Sequence, residues 1–299
     1  MATDPRLEKV LETLWPDRRP ALSPITAGIT NANVKVTVDG DAFVVRLPGA
    51  DTEVLGIDRR AELEAARVAA AAGVGPEVVD LVEGCLITRF LTGEPIPEAD
   101  LQREDVLTSV VRSIRTIHAC PPIASTFPVF RIVERYRDLA AERGVAIPEA
   151  YASAHRRAAQ IERAIGAGPL VATCHNDLLN ANFLKDGDHV WIVDYEYAGM
   201  GDPFFDLGNF SINNGLNEEA QELLLRFSFG EVRDAHRARL GLMRVMSDFR
   251  EAMWGVLQQA LSTLDFDYVG YADRHFRRLE ATASDERFAR WLADAEEPP

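Results

Sequence analysis

The sequence predicts an α+β protein of two lobes, a small N-terminal sheet-plus-helix lobe over residues 1–91 and a large, mainly helical C-terminal lobe over residues 92–299. Three observations carry this expectation. Up to Phe90 the apolar pattern passes twice from a helical to a strand period, giving helix, hairpin, helix, hairpin. The stretch Leu91-Thr92-Gly93-Glu94-Pro95-Ile96-Pro97 then breaks the pattern and reads as a hinge or crossover. Beyond it the periodicity is helical, apart from one strand–loop–strand unit around Asp177.

Each element has a local reason. Leu7, Val10, Leu11 and Leu14 form an apolar stripe behind Asp4 as cap and Pro5 in the first turn; Pro16 and Pro20 end that helix. Strands are expected over 33–38 and 42–47 around the turn Asp39-Gly40-Asp41. Before them lies Ala27-Gly28-Ile29-Thr30-Asn31-Ala32-Asn33, where Gly28 would let the backbone approach a phosphate. A helix over 57–72 is stopped by Gly73 and Gly75-Pro76. Strands over 78–82 and 85–90 turn at Glu83-Gly84. Helices are expected over 101–118, 132–143, 149–165, 206–213, 218–227, 231–263 (whole or broken) and 268–280, and the tail 296–299 reads as disordered.

Composition narrows the function classes. Hydrophobic content of 47% and charged content of 26% are ordinary for a globular protein. No apolar run approaches the roughly 18 residues of a membrane helix, so no membrane insertion is expected. The opening Met1-Ala2-Thr3-Asp4-Pro5-Arg6 lacks the order of a signal peptide, and a cytoplasmic location is expected. A net charge of −15 disfavours nucleic acid as a partner and suits a small cationic substrate. Cys85, Cys120 and Cys174 show no spacing of a zinc site or disulfide framework.

The chemistry concentrates in Cys174-His175-Asn176-Asp177-Leu178-Leu179-Asn180-Ala181-Asn182, a His-x-Asp with an Asn five positions after the Asp. Apolar runs over 170–174 and 189–193 flank it, and the second ends at Asp194. Burying several such polar groups is costly unless they share a purpose. Phosphoryl transfer supplies one: a carboxylate to orient or deprotonate a hydroxyl, and an Asn with a second Asp to hold Mg²⁺.

Taken with Phe43-Val44-Val45-Arg46-Leu47-Pro48-Gly49, Ile192-Val193-Asp194-Tyr195-Glu196-Tyr197 and Phe205-Asp206-Leu207-Gly208-Asn209, the chain resembles the bacterial choline/ethanolamine kinases over nearly its whole length. These form part of the aminoglycoside-phosphotransferase branch of protein-kinase-like folds. The resemblance implies a protein-kinase-like fold, ATP as co-substrate and Mg²⁺ as cofactor. It implies Asp177 as the base toward the acceptor hydroxyl, with His175 bracing its loop, and Asn182 and Asp194 as metal ligands. Glu196, next to that carboxylate, would contact a second Mg²⁺ or the substrate cation. Arg46 would bind phosphate, oriented by Glu62, since Glu64 faces another way on the helix. Asn31 and Asn33 would belong to the nucleotide loop, and Thr88 to Phe90 to the segment that holds adenine. Asp206 would be structural, accepting backbone N–H bonds from the catalytic loop.

The acceptor follows from the same resemblance. Choline has no N–H to donate and must be held by aromatic faces and diffuse negative charge. Trp254 and the segment Asp265-Phe266-Asp267-Tyr268 fall where the family builds an ammonium pocket, and Tyr197 and Tyr271 add rings to it. Choline or ethanolamine is thus the expected acceptor. An aminoglycoside or other metabolite would call instead for a cleft of carboxylates. A catalytically silent nucleotide-binding module is the third possibility, opposed by retention of Asp177, Asn182 and Asp194. Two positions depart from the family pattern: Ala27-Gly28 stands for Gly-Gly, and Val34 for an aromatic. Oligomeric state is not legible in the sequence.

Overall fold

Asp4 caps the first helix, α1 (Pro5–Leu14), by accepting from the Arg6 N–H at 2.9 Å. The structure is a computed structural model describing residues 4–25, 31–49, 52–166 and 171–299. After α1 comes a five-stranded antiparallel sheet built from β1 (Ala21–Ile25), β2 (Ala32–Val38), β3 (Asp41–Leu47), β4 (Val78–Val82) and β5 (Cys85–Arg89). Its strand order is β1-β2-β3-β5-β4. Both expected hairpins form. Asp39 and Gly40 take positive φ in the first turn, Glu83 and Gly84 in the second, as two-residue turns between twisted strands require.

Period-2 alternation gives the sheet two different faces. Val36, Val38, Phe43, Val45, Leu47, Cys85 and Ile87 pack with Leu7 and Val10 of α1 in a small core. Residues between them point the other way, toward α2 (Arg59–Ala71), which Asp58 caps. Ala65, Ala66 and Ala69 of α2 and Leu86 of β5 belong to the main core instead. Arg46, flanked by Val45 and Leu47, is thereby directed away from α1 and toward α2.

The rest is mostly helical: α3 (Glu104–His118), α4 (Val129–Glu142), α5 (Ala150–Ile165), α6 (Pro203–Asn213), α7 (Glu218–Phe229), α8 (Asp234–Leu261), α9 (Tyr268–Ala283) and α10 (Phe288–Asp294). Two small sheets interrupt them. In one, β6 (Glu94–Pro95), β8 (Phe183–Asp186) and β9 (His189–Ile192) pair; in the other, β7 (Ala172–Cys174) pairs with β10 (Gly199–Gly201). The 28-residue α8 is buried along most of its length and packs against α4, α6, α9 and α10. At its crossing with α6, a Cβ on Gly208 would sit 2.7 Å from the Met243 carbonyl carbon, so the helices meet closely only because that residue is Gly.

Several elements differ from the sequence expectation. The strands flanking the Asp177 loop lie in different sheets, so the loop is framed by two ladders and not closed by one. Among the strands not foreseen, β1 carries Pro24, which an edge position tolerates, and β10 is Gly-Met-Gly, whose pairing is set by its neighbours and not by propensity. The helix expected over 231–263 is shorter and unbroken, and that over 101–118 divides into a 3₁₀ turn (Glu98–Gln102) and α3. The short α10 was unpredicted, having too few residues to show a period. Ala27-Gly28-Ile29-Thr30 and Leu170 lie outside the described residues. Among the described residues, no helix is long and apolar enough to cross a membrane.

Candidate active site

The loop after β7 is held by buried side chains of α6. The Asp206 carboxylate accepts the His175 and Asn176 N–H groups at 2.9 and 2.6 Å, and His118 Nε2 lies 2.9 Å from its second oxygen. One turn on, Asn209 Oδ1 accepts the Leu178 N–H at 2.6 Å, while its Nδ2 donates to Ser247 on α8 at 3.1 Å. Asn214 Nδ2 reaches the Leu178 carbonyl at 3.0 Å. Asn176 adopts φ 65°, a left-handed conformation Asn tolerates, and its Nδ2 donates to the Tyr197 carbonyl at 3.0 Å.

His175 is fully buried, with Nε2 3.0 Å from the Val193 carbonyl and Nδ1 accepting the Asp177 N–H at 3.3 Å. That pattern fixes the tautomer with its proton on Nε2. Burial lowers its pKa and favours the neutral ring.

These constraints bring Asp177, Asn182 and Asp194 to one place. Asn182 Nδ2 donates to the Asp177 carbonyl at 2.8 Å, and the Val193 N–H donates to the Asn182 carbonyl at 3.0 Å. Asp194 takes φ 74°, a strained conformation of the kind found at functional sites. Arg46 of β3 ion-pairs with Asp194, and its other Nη stands 3.2 Å from Glu62 on α2. Glu64 instead accepts the Ala124 N–H at 3.1 Å.

Glu196 is nearly buried and faces the sheet region. It accepts from Asn31 Nδ2 at 2.9 Å and lies 3.6 Å from Arg59 and 3.8 Å from Arg46. Burial and the Asp194 charge push its carboxyl up to about 7, against the pull of Arg46 and Asn31. Arg46 stays charged, because Asp194, Glu196 and Glu62 outweigh the cost of its burial.

On the other side of Asp177 stands a residue the sequence reading missed. Arg250 of α8 is buried, with Nη1 3.0 Å from Asp177 Oδ1 and 2.6 Å from Glu251 Oε1. The Tyr271 hydroxyl donates to the other Glu251 oxygen at 2.8 Å. Burial, with Glu251, Asp194 and Glu196 nearby, pushes the Asp177 carboxyl up to about 8 despite the opposing Arg250. A signal was available: Asp248, Arg250 and Glu251 are charges set inside an apolar stretch of helix. Asn209 and Asn214, which the fold brings to the loop, and Arg59, which it brings to Glu62 and Glu196, were missed too, being ordinary polar residues in the sequence.

The expected aromatic residues cluster and pack on one another, with Phe266 exposed beside Tyr268 and Tyr271. Trp254 donates from Nε1 to the Tyr197 hydroxyl at 3.1 Å, and its ring meets Tyr271 and Tyr268 edge-on at 5.5 and 5.9 Å. The cation over Tyr197 is Arg250, 4.3 Å from the ring centre. Toward the expected adenine segment, Thr88 lies in a strand paired on both sides, and Phe90 donates its N–H to Ala42 at 2.9 Å with Lys35 3.8 Å above its ring. Asn33 faces Arg46 across the β2–β3 ladder. A cavity of about 780 Å³ between α2, α3 and α7, lined by Val68, Arg112 and Phe227 among others, shares no residue with this cluster.

A loop carboxylate, an Asn–Asp pair and an Arg–Glu pair held between a small sheet and a helical body are the parts of a phosphoryl-transfer site. Residues 21–241, most of the chain, match the phosphotransferase enzyme family. The chain belongs to that family. This phosphotransferase is similar over its length to a choline/ethanolamine kinase family protein of Mesorhizobium loti, with 30% identity, 97% of this chain and 98% of the other covered, and a TM-score of 0.83. It is also similar to the protein LicA of Haemophilus influenzae, 28% identical over 216 residues. That alignment takes in 70% of the phosphotransferase and spans 63% of LicA's length. Ethanolamine kinase 2 of Rattus norvegicus is 27% identical, with 91% and 79% of the two chains covered. The shared architecture is kinase-like, with a small antiparallel sheet lobe and a larger helical region.

Proposed function

We propose that the chain is an ATP-dependent kinase that phosphorylates the hydroxyl of a small cationic amino alcohol, choline or ethanolamine. The observation that carries this reading is the convergence of Asp177, Asn182, Asp194 and Arg46 at the junction of sheet and helices. The names of the similar proteins support the acceptor class. In this reading the nucleotide lies between the lobes, whose boundary falls near Leu91, and meets Arg46 and the Asn31, Asn33, Thr88 and Phe90 region.

The donor set fits Mg²⁺. Both candidate ligands offer oxygen, as a hard cation demands. Asn182 has its Nδ2 engaged by the Asp177 carbonyl, which leaves Oδ1 to face a cation, and Asp194 already turns Oδ1 to a positive charge, the Arg46 guanidinium. Asn182 and Asp194 would hold the ion, and Mg²⁺ when bound would neutralise phosphate charge. Arg46 adds a fixed cation on the nucleotide side, kept in place by Glu62. Asp177 orients the acceptor hydroxyl and takes its proton as that oxygen bonds to the γ-phosphorus and the bond from phosphorus to the departing ADP oxygen breaks. His175 and Asp206 hold the loop and take no part in proton transfer. Glu196 ties the sheet lobe to the metal strand through Asn31, Arg46 and Arg59.

Acceptor-dependent ADP release at fixed Mg²⁺-ATP tests the reading, with choline, ethanolamine, an aminoglycoside and a sugar compared. Turnover with an amino alcohol is expected. Turnover with the aminoglycoside alone would overturn it in favour of an aminoglycoside kinase, and ATP binding without any transfer in favour of a silent module.

A further inference from the structure

Arg250 ranks first in size among the fully buried side chains of the described residues and lies beside the acceptor base. It engages two acidic groups, Asp177 and Glu251, through one Nη atom. Its guanidinium carbon lies over one face of Tyr197, 4.3 Å from the ring centre, while Nε and Nη2 have no hydrogen-bond partner among the described residues. Remaining contacts close the aromatic cluster. The Tyr197 hydroxyl receives Trp254 Nε1, the Glu251 outer oxygen receives Tyr271, and the Trp254 ring is met by the edges of Tyr268 and Tyr271.

A monocationic alcohol can be held in two ways. A primary ammonium donates three N–H bonds to oxygen acceptors, whereas a quaternary ammonium has none and requires free aromatic faces. The charge count suits either, since in the deprotonated form needed for transfer Asp177, with Glu251 and against Arg250, leaves one negative charge. The available contacts do not. An ionised carboxylate carries about four lone-pair sites, so the pair still has acceptor capacity after bonding Arg250 and Tyr271. The face of Tyr197 is already covered by a cation of the chain itself.

We infer that Arg250 is a specificity-determining residue that makes this site select a primary-ammonium alcohol over a quaternary one. The inference rests on the amino-alcohol kinase reading above and narrows its acceptor. A trimethylammonium group would have to displace the guanidinium from Tyr197 and leave it buried with fewer partners. A primary ammonium adds to the carboxylates without moving it.

The test is steady-state ADP release at fixed Mg²⁺-ATP with ethanolamine and choline, on the unaltered chain and on Arg250→Ala and Arg250→Lys. The expected result for the unaltered chain is kcat/KM at least about tenfold higher for ethanolamine, carried mainly by KM. Arg250→Ala uncovers Tyr197, so the ethanolamine-to-choline ratio should fall at least about tenfold whatever happens to the absolute rate, with Arg250→Lys between the two. Should Arg250→Ala fail to fold, competition on the unaltered chain decides: ethylammonium should inhibit at lower concentration than tetramethylammonium. Equal or better use of choline by the unaltered chain, or a ratio unmoved in a folded Arg250→Ala, overturns the inference and leaves the kinase reading standing. Absence of transfer to both alcohols overturns the two together.

Discussion

Replacing Asp206 by Asn tests whether the catalytic loop depends on one buried carboxylate. Asp206 is 0% exposed and accepts two backbone N–H groups, at 2.9 and 2.6 Å, with His118 against the same oxygen as the longer bond. Asn is nearly isosteric but has one acceptor oxygen in place of two. Either the His175 or the Asn176 N–H must then face an NH₂ group, and a buried donor loses its partner. A hydrogen bond to a charged acceptor contributes about 1.5–3 kcal/mol, and an unsatisfied buried donor costs about 1–3 kcal/mol. These overlap, so a net loss of about 2–4 kcal/mol is expected. For a chain of 299 residues that lowers Tm by about 3–6 °C. The same change shifts Asp177 relative to Asn182, and a misplacement of about 1 Å costs roughly 100-fold in rate. Thermal unfolding and acceptor-dependent ADP release are measured on the same preparations. A Tm within about 1 °C of the unaltered chain, with kcat preserved, would refute the argument that this carboxylate sets the loop.

Other perturbations separate the remaining roles. Asp177→Asn should abolish turnover and leave Mg²⁺-ATP affinity nearly intact, whereas Asp194→Asn should weaken both; titration calorimetry beside the rate assay distinguishes them. Asp177, the proposed acceptor base, would act only when deprotonated, and its carboxyl is pushed up to about 8. The profile of kcat/KM for the acceptor should therefore rise with pH through that region and not through the ordinary carboxylate range; a flat profile above about pH 6 would contradict it. Gly208→Ala would place a methyl 2.7 Å from the Met243 carbonyl carbon and should cost about 1–3 kcal/mol by forcing α6 from α8, read as a lower denaturant midpoint.

What the sequence reveals of this fold follows the length and regularity of each element. Residues 57–72 show their period and their stops plainly, and the helix forms as α2 with Asp58 as its cap. The hairpins are legible because Asp39-Gly40 and Glu83-Gly84 demand positive φ. Two- and three-residue ladders such as β6 and β10 leave no pattern in the chain; they exist because neighbours present free carbonyl and N–H groups. At the site, the spacing of Asp177, Asn182 and Asp194 is readable because one loop and one strand carry all three. Arg250 comes from 73 positions away, and no local pattern links it to Asp177. The aromatic residues show the limit of composition: their clustering is legible, but whether their faces are free depends on which cation reaches them first.

The site's charges alternate in two short chains that meet at the loop. On the proposed nucleotide side Glu62, Arg46 and Asp194 follow one another; on the proposed acceptor side Glu251, Arg250 and Asp177 do the same. In each, a buried arginine stands between a supporting carboxylate and a working one. Burying three charges is tolerable only with close pairing, and each arginine is under-bonded even so, with Nε of both and Nη2 of Arg250 unpartnered. The supporting carboxylates differ in freedom. Glu62 is also gripped by Arg59 at 2.7 Å, and Glu251 by the Tyr271 hydroxyl at 2.8 Å. Each working carboxylate thus faces an arginine whose far side is already anchored, so that arginine cannot follow if the carboxylate turns toward a new cation. The cost of turning is set in advance. Asp194 can exchange its Arg46 contact for a metal ion while Glu62 and Glu196 keep Arg46 neutralised. Asp177 has only Glu251 to leave behind with Arg250, and the acceptor must make good the difference. That asymmetry predicts ordered dependence: Glu251→Gln should raise the acceptor KM several-fold or more while the ATP KM changes little, and Glu62→Gln the reverse. Equal effects on both constants in either variant would show that the two chains act as a single network.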